Sequence, residues 1–117
     1  MKHISNADKQ WLDKPGYSKK LLALPEVMGK PGLLVQELKI APGQVCENHY
    51  HKLQTEIFYF TNVNGRFVVN GEVINLEPGD VLIVEPDDWH AVSNHSKHDF
   101  RYVVFKFNWE EGDYYEE

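Results

Sequence analysis

Two stretches decide the fold of this chain: residues 43–56 read GQVCENHYHKLQTE, and residues 79–94 read GDVLIVEPDDWHAVSN. His49 and His51 end a predicted strand, and residues two apart on a strand project from the same face. Glu56 opens the next predicted strand after a gap long enough for a turn, and His90 begins a later strand beyond a Pro-Asp-Asp turn. If these three strands line one cavity, three imidazoles and one carboxylate surround a single point.

Turn signals recur at close intervals from residue 33 onward and favour strands over helices. They include Asn64-Gly65 and Asn70-Gly71, and the Asn-Gly pair readily adopts the positive φ values of a type I′ hairpin. The segments between the turns predict eight strands, near residues 33–40, 44–51, 56–63, 66–70, 72–76, 81–85, 89–94 and 100–107. Eight short antiparallel strands at this spacing are typical of a jelly-roll sandwich or a small barrel. We therefore expect an all-β fold.

The same two stretches resemble the paired sequence motifs of the cupin superfamily. The residues that carry the resemblance are, in chain order, Gly43, His49, His51, Glu56, Gly79, His90 and Asn94. The resemblance covers residues 33–107 and implies a double-stranded β-helix, which is a jelly-roll cupin barrel of about eight strands. It also implies that the family's four metal ligands correspond to His49, His51, Glu56 and His90.

The sequence departs from the cupin motifs at three positions. Val63 stands where the first motif usually closes on glycine, and Gly65 follows two residues later, which predicts a slightly longer hairpin. In the second motif, Glu85 replaces the usual first proline and Asp87 replaces the usual glycine. None of these replaces a ligand, so the departures concern the shapes of turns and add negative charge near the mouth of the barrel.

The predicted ligands are nitrogen and oxygen atoms only. The single cysteine, Cys46, has the opposite strand parity from His49 and His51, so it should point away from them as a small buried hydrophobe. Such ligands suit one divalent transition metal ion (iron, manganese, nickel, copper or zinc) better than calcium or magnesium. An octahedral ion with four protein ligands keeps two positions for water, substrate or dioxygen, whereas a tetrahedral zinc keeps none.

Strand alternation also predicts the lining of the cavity. The parity of Glu56, together with the more apolar row of the last strand, predicts an interior wall of Phe58, Phe60, Val92, Phe105 and Phe107. Arg101 belongs to the same predicted row, where it would clamp a carboxylate or a sugar hydroxyl near the rim; a solvated strand end is its other interpretation. Glu56 and Arg101 are therefore the candidate catalytic residues.

Four other polar or aromatic residues near these motifs have simpler interpretations. Trp89 is either a lid over the pocket or an interface anchor. Asn94 is expected to end its strand or to satisfy backbone groups. His95 and His98 lie in a turn and are expected at the surface.

The formal net charge of −6 is concentrated at one end of the chain. Residues 109–117 hold five acids and no base, which leaves 13 acids and 12 bases elsewhere. Binding to nucleic acid or to an anionic membrane requires a basic surface field, so we expect neither partner. We expect an irregular N-terminal arm over residues 1–32 with one short element near 21–24, a cupin barrel over 33–108, and an acidic tail over 109–117. The simplest interpretation of this tail is a solvated end; the alternative is that it docks on the lysine-rich arm.

Three functions are compatible with such a site. A metal ion with open positions can polarise a carbonyl and stabilise an oxyanion, which suits an isomerase, lyase or decarboxylase acting on a sugar, a uronate or an oxo or hydroxy acid. The alternatives are an Fe(II)-dependent cupin dioxygenase and a non-catalytic, metal-containing cupin that binds a small molecule. The complete ligand set favours an enzyme. We also expect a homodimer, a small-molecule ligand in the barrel and, since there is one cysteine and no signal sequence, a cytoplasmic location.

Overall fold

The structure, a computed structural model, describes residues 1–116 and confirms the all-β fold. Each of the eight predicted strands is present within a few residues of its predicted bounds. The strands are β1 (Leu12–Lys14), β2 (Tyr17–Ala23), β3 (Leu34–Ile40), β4 (Val45–His49), β5 (Thr55–Phe60), β6 (Arg66–Val69), β7 (Glu72–Ile74), β8 (Val81–Val84), β9 (His90–Ser93) and β10 (Phe100–Phe107). A 3₁₀ turn spans Asn6–Asp8, and the helix α1 spans Pro25–Met28. No helix within residues 1–116 is long and apolar enough to cross a membrane.

Two antiparallel sheets form the walls of the barrel. The larger sheet has the strand order β1-β2-β3-β10-β5-β8, and the smaller sheet has the order β4-β9-β6-β7. β10 lies inside the larger sheet, where Lys106 is directly opposite Leu34 on β3 and Glu56 on β5. Neighbouring strands that are distant in the chain are characteristic of a jelly roll. This topology brings β4, β5 and β9, which carry the motif residues, to one barrel.

The N-terminal segment is more ordered than the irregular arm that the sequence predicted. β1 and β2 form a hairpin, and β2 extends the larger sheet by pairing with β3. The breakers Pro15 and Gly16 lie in the turn of this hairpin, with Gly16 at a φ of 81°. A side chain at Gly16 would overlap the carbonyl oxygen of Val45, so the turn packs directly on β4. The breakers therefore connect two strands instead of interrupting one.

The two Asn-Gly pairs behave differently. Asn70-Gly71 has φ values of 49° and 79° and joins β6 to β7 by the expected hairpin turn. Asn64-Gly65 has no positive φ and lies in a longer connection between β5 and β6. Glycine is needed there for space, because a Cβ atom would collide with the ring of Phe100. In the second motif, Asp87 adopts a φ of 71°, so the turn keeps a left-handed residue where the resemblance expects glycine.

Aromatic rings fill the core between the two sheets. The members, each no more than 2% exposed, are Phe58, Phe60, Phe67, Phe100 and Tyr102. Their ring centroids lie 4.9 to 6.3 Å apart, mostly in edge-to-face or tilted pairs. Such pairs contribute about 0.5–1.5 kcal/mol each beyond the burial of their area. The cluster reaches the imidazole of His90, which lies 6.4 Å from the ring of Phe58.

The interior row of β10 is the opposite of the one predicted. Phe100, Tyr102 and Val104 are buried, whereas Arg101, Phe105 and Phe107 face outwards. The prediction placed the more apolar row inside, and it is wrong because the outside of the larger sheet is itself apolar. We call this surface the outer apolar face; its residues, each 40 to 57% exposed, are Tyr59, Val81, Ile83, Phe105 and Phe107.

The C-terminal tail folds back onto the barrel beyond β10. Tyr115 forms an isolated β-bridge with Tyr50, with two backbone hydrogen bonds of 3.0 Å. The rings of Tyr50 and Tyr115 stack, and Trp89 packs against Tyr50 from another side. The sequence predicted a solvated tail over residues 109–117, which is wrong for residues 113–115; Glu117 lies outside the described residues.

Candidate metal centre

Three histidine side chains converge at one end of the barrel. His49 ends β4, His90 begins β9, and the two residues are directly opposite each other in the smaller sheet. His51 follows just beyond the end of β4. All three side chains are buried, and one ring nitrogen from each lies within 4.8 Å of the others. The structure thus brings together the three imidazoles that the sequence singled out.

Backbone carbonyl groups fix the orientation of all three rings. The Nδ1 atoms of His49, His51 and His90 lie 2.7, 2.5 and 3.0 Å from the carbonyl oxygens of Glu47, Asp113 and Asp88, respectively. A carbonyl oxygen can only accept, so each Nδ1 carries the proton and donates it. In a neutral imidazole Nε2 is then an unprotonated acceptor. A metal ion requires this tautomer of its ligands.

Glu56 joins the cluster from β5 in the larger sheet. Its Oε1 atom lies 3.0 Å from Nε2 of His51 and 3.2 Å from Nε2 of His90. The same oxygen is buried and has no hydrogen-bond partner among residues 1–116. Two ligand atoms bound at right angles, each about 2.1 Å from one ion, would lie about 3.0 Å apart. These two separations fit a cation shared by Glu56, His51 and His90, and His49 joins the other two imidazoles in a group of three potential ligands.

The electrostatics of the cluster favour a cation at its centre. Burial, reinforced by the neighbouring His90, lowers the pKa of His49 to about 4, so this imidazole is neutral at pH 7. Burial alone would raise the pKa of Glu56, but the neighbouring His51 and His90 outweigh it and hold this pKa well below its ordinary value. Such a lowering requires a proton or a positive charge between Oε1 and the two Nε2 atoms; if both rings are neutral and protonated at Nδ1, the carboxylate is a buried, uncompensated charge. A bound metal ion compensates that charge, so the donor set fits one.

The C-terminal tail supports His51 from behind. The carboxylate of Asp113 accepts hydrogen bonds from three consecutive backbone N–H groups, those of Lys52, Leu53 and Gln54, at 2.8, 2.9 and 3.1 Å. Burial would raise the pKa of Asp113, but these bonds lower it overall. The next residue, Tyr114, stacks its ring on the imidazole of His49 with the centroids 4.6 Å apart. Sequence reasoning missed this support because residues 109–117 resemble an ordinary solvated end.

Two adjacent chambers lie beside the cluster. The inner chamber has a volume of about 50 Å³, and its lining includes His49, His51, Glu56 and His90. The outer chamber, of about 460 Å³, lies between β2 and the C-terminal tail. The residues that line both chambers are Tyr17, Gln36, His51, Lys106 and Tyr114. The outer chamber therefore lies next to the cluster, with these five side chains between the two spaces.

The apolar wall of the inner chamber differs in part from the predicted one. Phe58 and Val92 line it as predicted, while Phe60 lies deeper in the core. Cys46 also lines the inner chamber, although strand parity predicted that it would point away from the ligands. The register between β4 and β9 shifts between Cys46 and His49, as in a β-bulge, and the shift reverses the parity. Cys46 is buried as expected, and burial raises the pKa of its thiol to about 12.

Sequence reasoning missed several polar side chains opposite the ligands. Lys106 on β10 points inwards with its side chain only 12% exposed, and its Nζ atom lies 4.0 Å from Oε2 of Glu56. Burial lowers the pKa of Lys106, against the opposing effect of Glu56. Burial also raises the pKa values of Tyr17 and Tyr102, so their hydroxyl groups stay protonated. The interior row of β10, once assigned to the correct parity, would have identified Lys106 and Tyr102.

Arg101 lies on the outside of the larger sheet and lines neither chamber. Its Nη2 and Nε atoms donate to the same carboxylate oxygen of Glu37 at 2.8 and 3.0 Å. Its guanidinium group also lies 5.4 Å from the ring centroid of Trp11. The prediction of an interior position is therefore wrong, for the same parity reason as for Phe105 and Phe107.

The remaining residues have structural or surface positions. Asn94 is completely buried, and its Nδ2 atom donates to two backbone carbonyl groups at 2.8 Å. This agrees with the expectation that it satisfies backbone groups. His95 and His98 are exposed, as expected for a turn. Trp89, for which the sequence left two interpretations, packs on Tyr50 and lines neither chamber.

Two curated proteins have sequences similar to that of this chain. The chain is 29% identical over 97 residues to the tetracenomycin polyketide synthase protein TcmJ of Streptomyces glaucescens, covering 81% of this chain and 63% of that protein. It is 27% identical over 79 residues to the oxalate-binding protein of Thermotoga maritima, covering 68% and 65%. The matches thus span less than two thirds of the length of these curated relatives.

Among solved structures, that of KdgF from Halomonas sp. superposes with a TM-score of 0.79, covering 95% of this chain and 96% of that one. At a sequence identity of 21%, this comparison shows that the two proteins share a fold and no more than that. The family model for the cupin domain matches residues 36–106, which is more than half of the chain and includes all four clustered side chains. The resemblance of the two motifs is thereby confirmed, and the chain belongs to the cupin domain family.

Proposed function

We propose that this protein is a metal-dependent enzyme that acts on a small oxygenated metabolite, namely a sugar, a uronate or an oxo or hydroxy acid. The reaction would be an isomerisation, an elimination or a decarboxylation. The proposal rests on one observation: a buried cluster of His49, His51, Glu56 and His90 opens onto chambers with polar walls. A divalent transition metal ion, of iron, manganese, nickel, copper or zinc, would supply Lewis-acid polarisation of substrate oxygens when bound there.

The other steps of the reaction belong to the chain's own side chains. Glu56 turns Oε1 towards the imidazoles and Oε2 towards Lys106, 4.0 Å away. A proton can pass between these two groups through one intervening water or substrate oxygen. The hydroxyl groups of Tyr17 and Tyr102 line the inner chamber and can donate hydrogen bonds to substrate oxygens. Lys106 thus takes the assisting role that the sequence assigned to Arg101, while Glu56 keeps its own.

Two alternatives share the same metal centre. An Fe(II)-dependent dioxygenase needs space for dioxygen and an electron-rich substrate, whereas a non-catalytic binding protein needs no proton carrier. The buried Lys106 beside Glu56 favours proton transfer over both. The Thermotoga maritima relative is named for binding oxalate, a small dicarboxylate with adjacent oxygens, and a ligand of that kind fits a metal ion with open positions.

Metal content tests the first half of the proposal. Protein purified without added metal should contain one divalent ion per chain by elemental analysis, and His51→Ala should lose most of it. His95→Ala is the matched control, because His95 is an exposed histidine outside both chambers. Equal metal content in His51→Ala and His95→Ala would exclude the proposed centre.

Turnover tests the second half. The metal-reconstituted protein should be assayed against sugar acids, sugars, keto acids and phenolic compounds, with oxygen uptake recorded in parallel. Turnover without oxygen uptake supports the proposed chemistry, and oxygen consumption would select the dioxygenase. Lys106→Met should then lower kcat by about 10²-fold or more, the effect typical of losing a positioned proton carrier. Binding without turnover over the whole panel would select the non-catalytic function.

We also propose a homodimer, in the cytoplasm, that pairs through the outer apolar face. On this face Val81 lies opposite Tyr59, and Ile83 lies on the same strand two residues further on. Large exposed apolar patches on soluble proteins are typical of protein interfaces. Size-exclusion chromatography with light scattering should give twice the chain mass of 13.6 kDa. Ile83→Lys should shift the protein to the monomer mass, and a wild-type protein that elutes as a monomer would contradict the proposal.

A further inference from the structure

The outer chamber contains two buried amide side chains with unused hydrogen-bonding atoms. Gln36 and Gln54 line the chamber and are 3% and 2% exposed. The Oε1 atom of Gln36 and the Nε2 atom of Gln54 have no hydrogen-bond partner among residues 1–116. Buried polar atoms are almost always paired in folded proteins. One acceptor and one donor beside this chamber therefore lack a partner, and each becomes available to a ligand once its amide group turns towards the chamber.

The same chamber is lined by three lysines. Lys14 and Lys19 come from the first hairpin and Lys106 comes from β10. Within residues 1–116, the side chain of Lys19 has no hydrogen bond or ion pair, and that of Lys106 has only the 4.0 Å contact with Glu56. Burial lowers the pKa of Lys19, and the charges of Lys106 and Lys14 add to this effect. The three ammonium groups thus repel one another across a space that an anion would stabilise.

The acidic residues around the chamber do not cancel this charge in its deeper part. Glu110 and Glu111 lie on the tail at the rim, where they are exposed to solvent. The carboxylate of Asp113 is already held by three backbone N–H groups. Glu56 lies 4.0 Å from Lys106 but faces the metal site, where a bound cation would compensate its charge. With Glu56 compensated, the buried Lys106 outweighs the solvated rim, because charges interact more strongly where water is excluded. The chamber is cationic inside and acidic at its mouth.

We propose that the outer chamber binds a carboxylate group of the substrate through the ammonium groups of Lys106 and Lys19 and the side-chain amide of Gln54. The Oε1 atom of Gln36 accepts a hydrogen bond from a hydroxyl group of the same molecule. Lys106 also lines the inner chamber, so the remaining oxygens of the substrate extend towards the metal ligands. The acidic rim disfavours a phosphate dianion. This inference rests on the proposed function and narrows its substrates to sugar acids and hydroxy or oxo acids.

A small probe tests the subsite without knowledge of the substrate. Glycolate, ethylene glycol and methyl phosphate are titrated into the full chain, with and without zinc, while NMR follows the side-chain amide signals of Gln36 and Gln54. Glycolate should shift both signals with a dissociation constant of about 1–10 mM, which is reasonable for so small a ligand. Ethylene glycol should leave them unchanged, and methyl phosphate should bind more weakly than glycolate.

Variants separate this subsite from the metal centre. Lys106→Met and Lys19→Met should each weaken glycolate binding about tenfold or more, because each removes a charge-assisted hydrogen bond. Lys19 is half-buried on the hairpin, so Lys19→Met keeps the test valid if Lys106→Met does not fold. Lys97→Met is the matched control on an exposed turn. Unchanged binding in both lysine variants, equal shifts with ethylene glycol, or tighter binding of methyl phosphate would overturn the inference.

Zinc content, measured by equilibrium dialysis on the same samples, distinguishes the two proposals. A protein that binds glycolate in the lysine-dependent manner but takes up neither zinc nor any of the other four proposed metals in the same dialysis would contradict the proposed function and leave the carboxylate subsite standing. A protein that binds zinc but shows no lysine-dependent glycolate binding would contradict the subsite alone.

Discussion

Replacing the carboxylate of Asp113 by an amide should lower the metal affinity of the proposed centre, although Asp113 is not one of the candidate ligands. Asp113 accepts three backbone N–H groups and also offers its carbonyl oxygen to His51. In Asp113→Asn the side chain has one acceptor oxygen, and its NH₂ group faces a backbone donor. At least one buried N–H then loses its partner, at a cost of about 1–3 kcal/mol. Removing the support of a metal-ligating histidine typically weakens metal binding by about 10–100-fold, which is about 1.4–2.7 kcal/mol.

Two measurements follow this substitution. Zinc affinity, from competition with a chelating dye, should fall by about 10–100-fold. Hydrogen exchange should accelerate at the amides of residues 52–54, whose protons the carboxylate accepts. Glu111→Gln is the control, because it removes the same charge from an exposed side chain of the same tail. If Asp113→Asn keeps the zinc affinity of Glu111→Gln and the exchange rates of the wild type, the tail does not support His51 and our interpretation of it is wrong.

Three further predictions concern protonation, reactivity and packing. The pKa of His49 is lowered from 6.5 to about 4, so the unfolded chain takes up a proton at this residue before the folded protein does as the pH falls. The metal-free protein should therefore lose up to about 3 kcal/mol of its free energy of unfolding between these two pKa values. Urea unfolding at several pH values should show this loss, and His49→Gln should reduce it. Cys46, with its pKa raised to about 12, should resist iodoacetamide in the folded protein and react in urea, as mass spectrometry would show. Phe67→Ala should lower the free energy of unfolding by about 3–5 kcal/mol, measured by the urea midpoint; a loss below about 1 kcal/mol would contradict the assigned core.

The strands and the clustering of the candidate ligand side chains were predictable because local chemistry decides both. Glycine, proline and Asn-Gly pairs mark strand ends by their backbone preferences, and eight strands appear between them. The spacing of His49 and His51, and the position of Glu56 at the start of the next strand, depend on short segments. Once the topology of the barrel was inferred from the motifs, their meeting with His90 followed.

The errors arose where a longer-range feature overrides local alternation. Strand parity decides which side chains face inwards only if one face is clearly more apolar, and β10 has apolar residues on both faces. Phe105 and Arg101 were therefore placed inside, and Lys106 outside. A single register shift reversed the parity between Cys46 and His49. The hydrogen bond between His51 and Asp113 joins residues 62 positions apart, and no local sequence pattern predicts it.

The outer chamber has two walls of different stiffness. Lys106 lies on β10, which is hydrogen-bonded to a strand on each side, so the sheet holds this wall in place. The opposite wall carries Tyr114, on a segment held by the carboxylate and carbonyl groups of Asp113, by the bridge to Tyr50 and by the stacking of Tyr114 on His49. A ligand too large for the chamber would therefore be accommodated by displacement of the tail, while its anchoring charge stays fixed. The size of the substrates that bind would then depend on how far the tail can move. Because Asp113 on this tail orients His51, a larger substrate would also disturb the orientation of that imidazole.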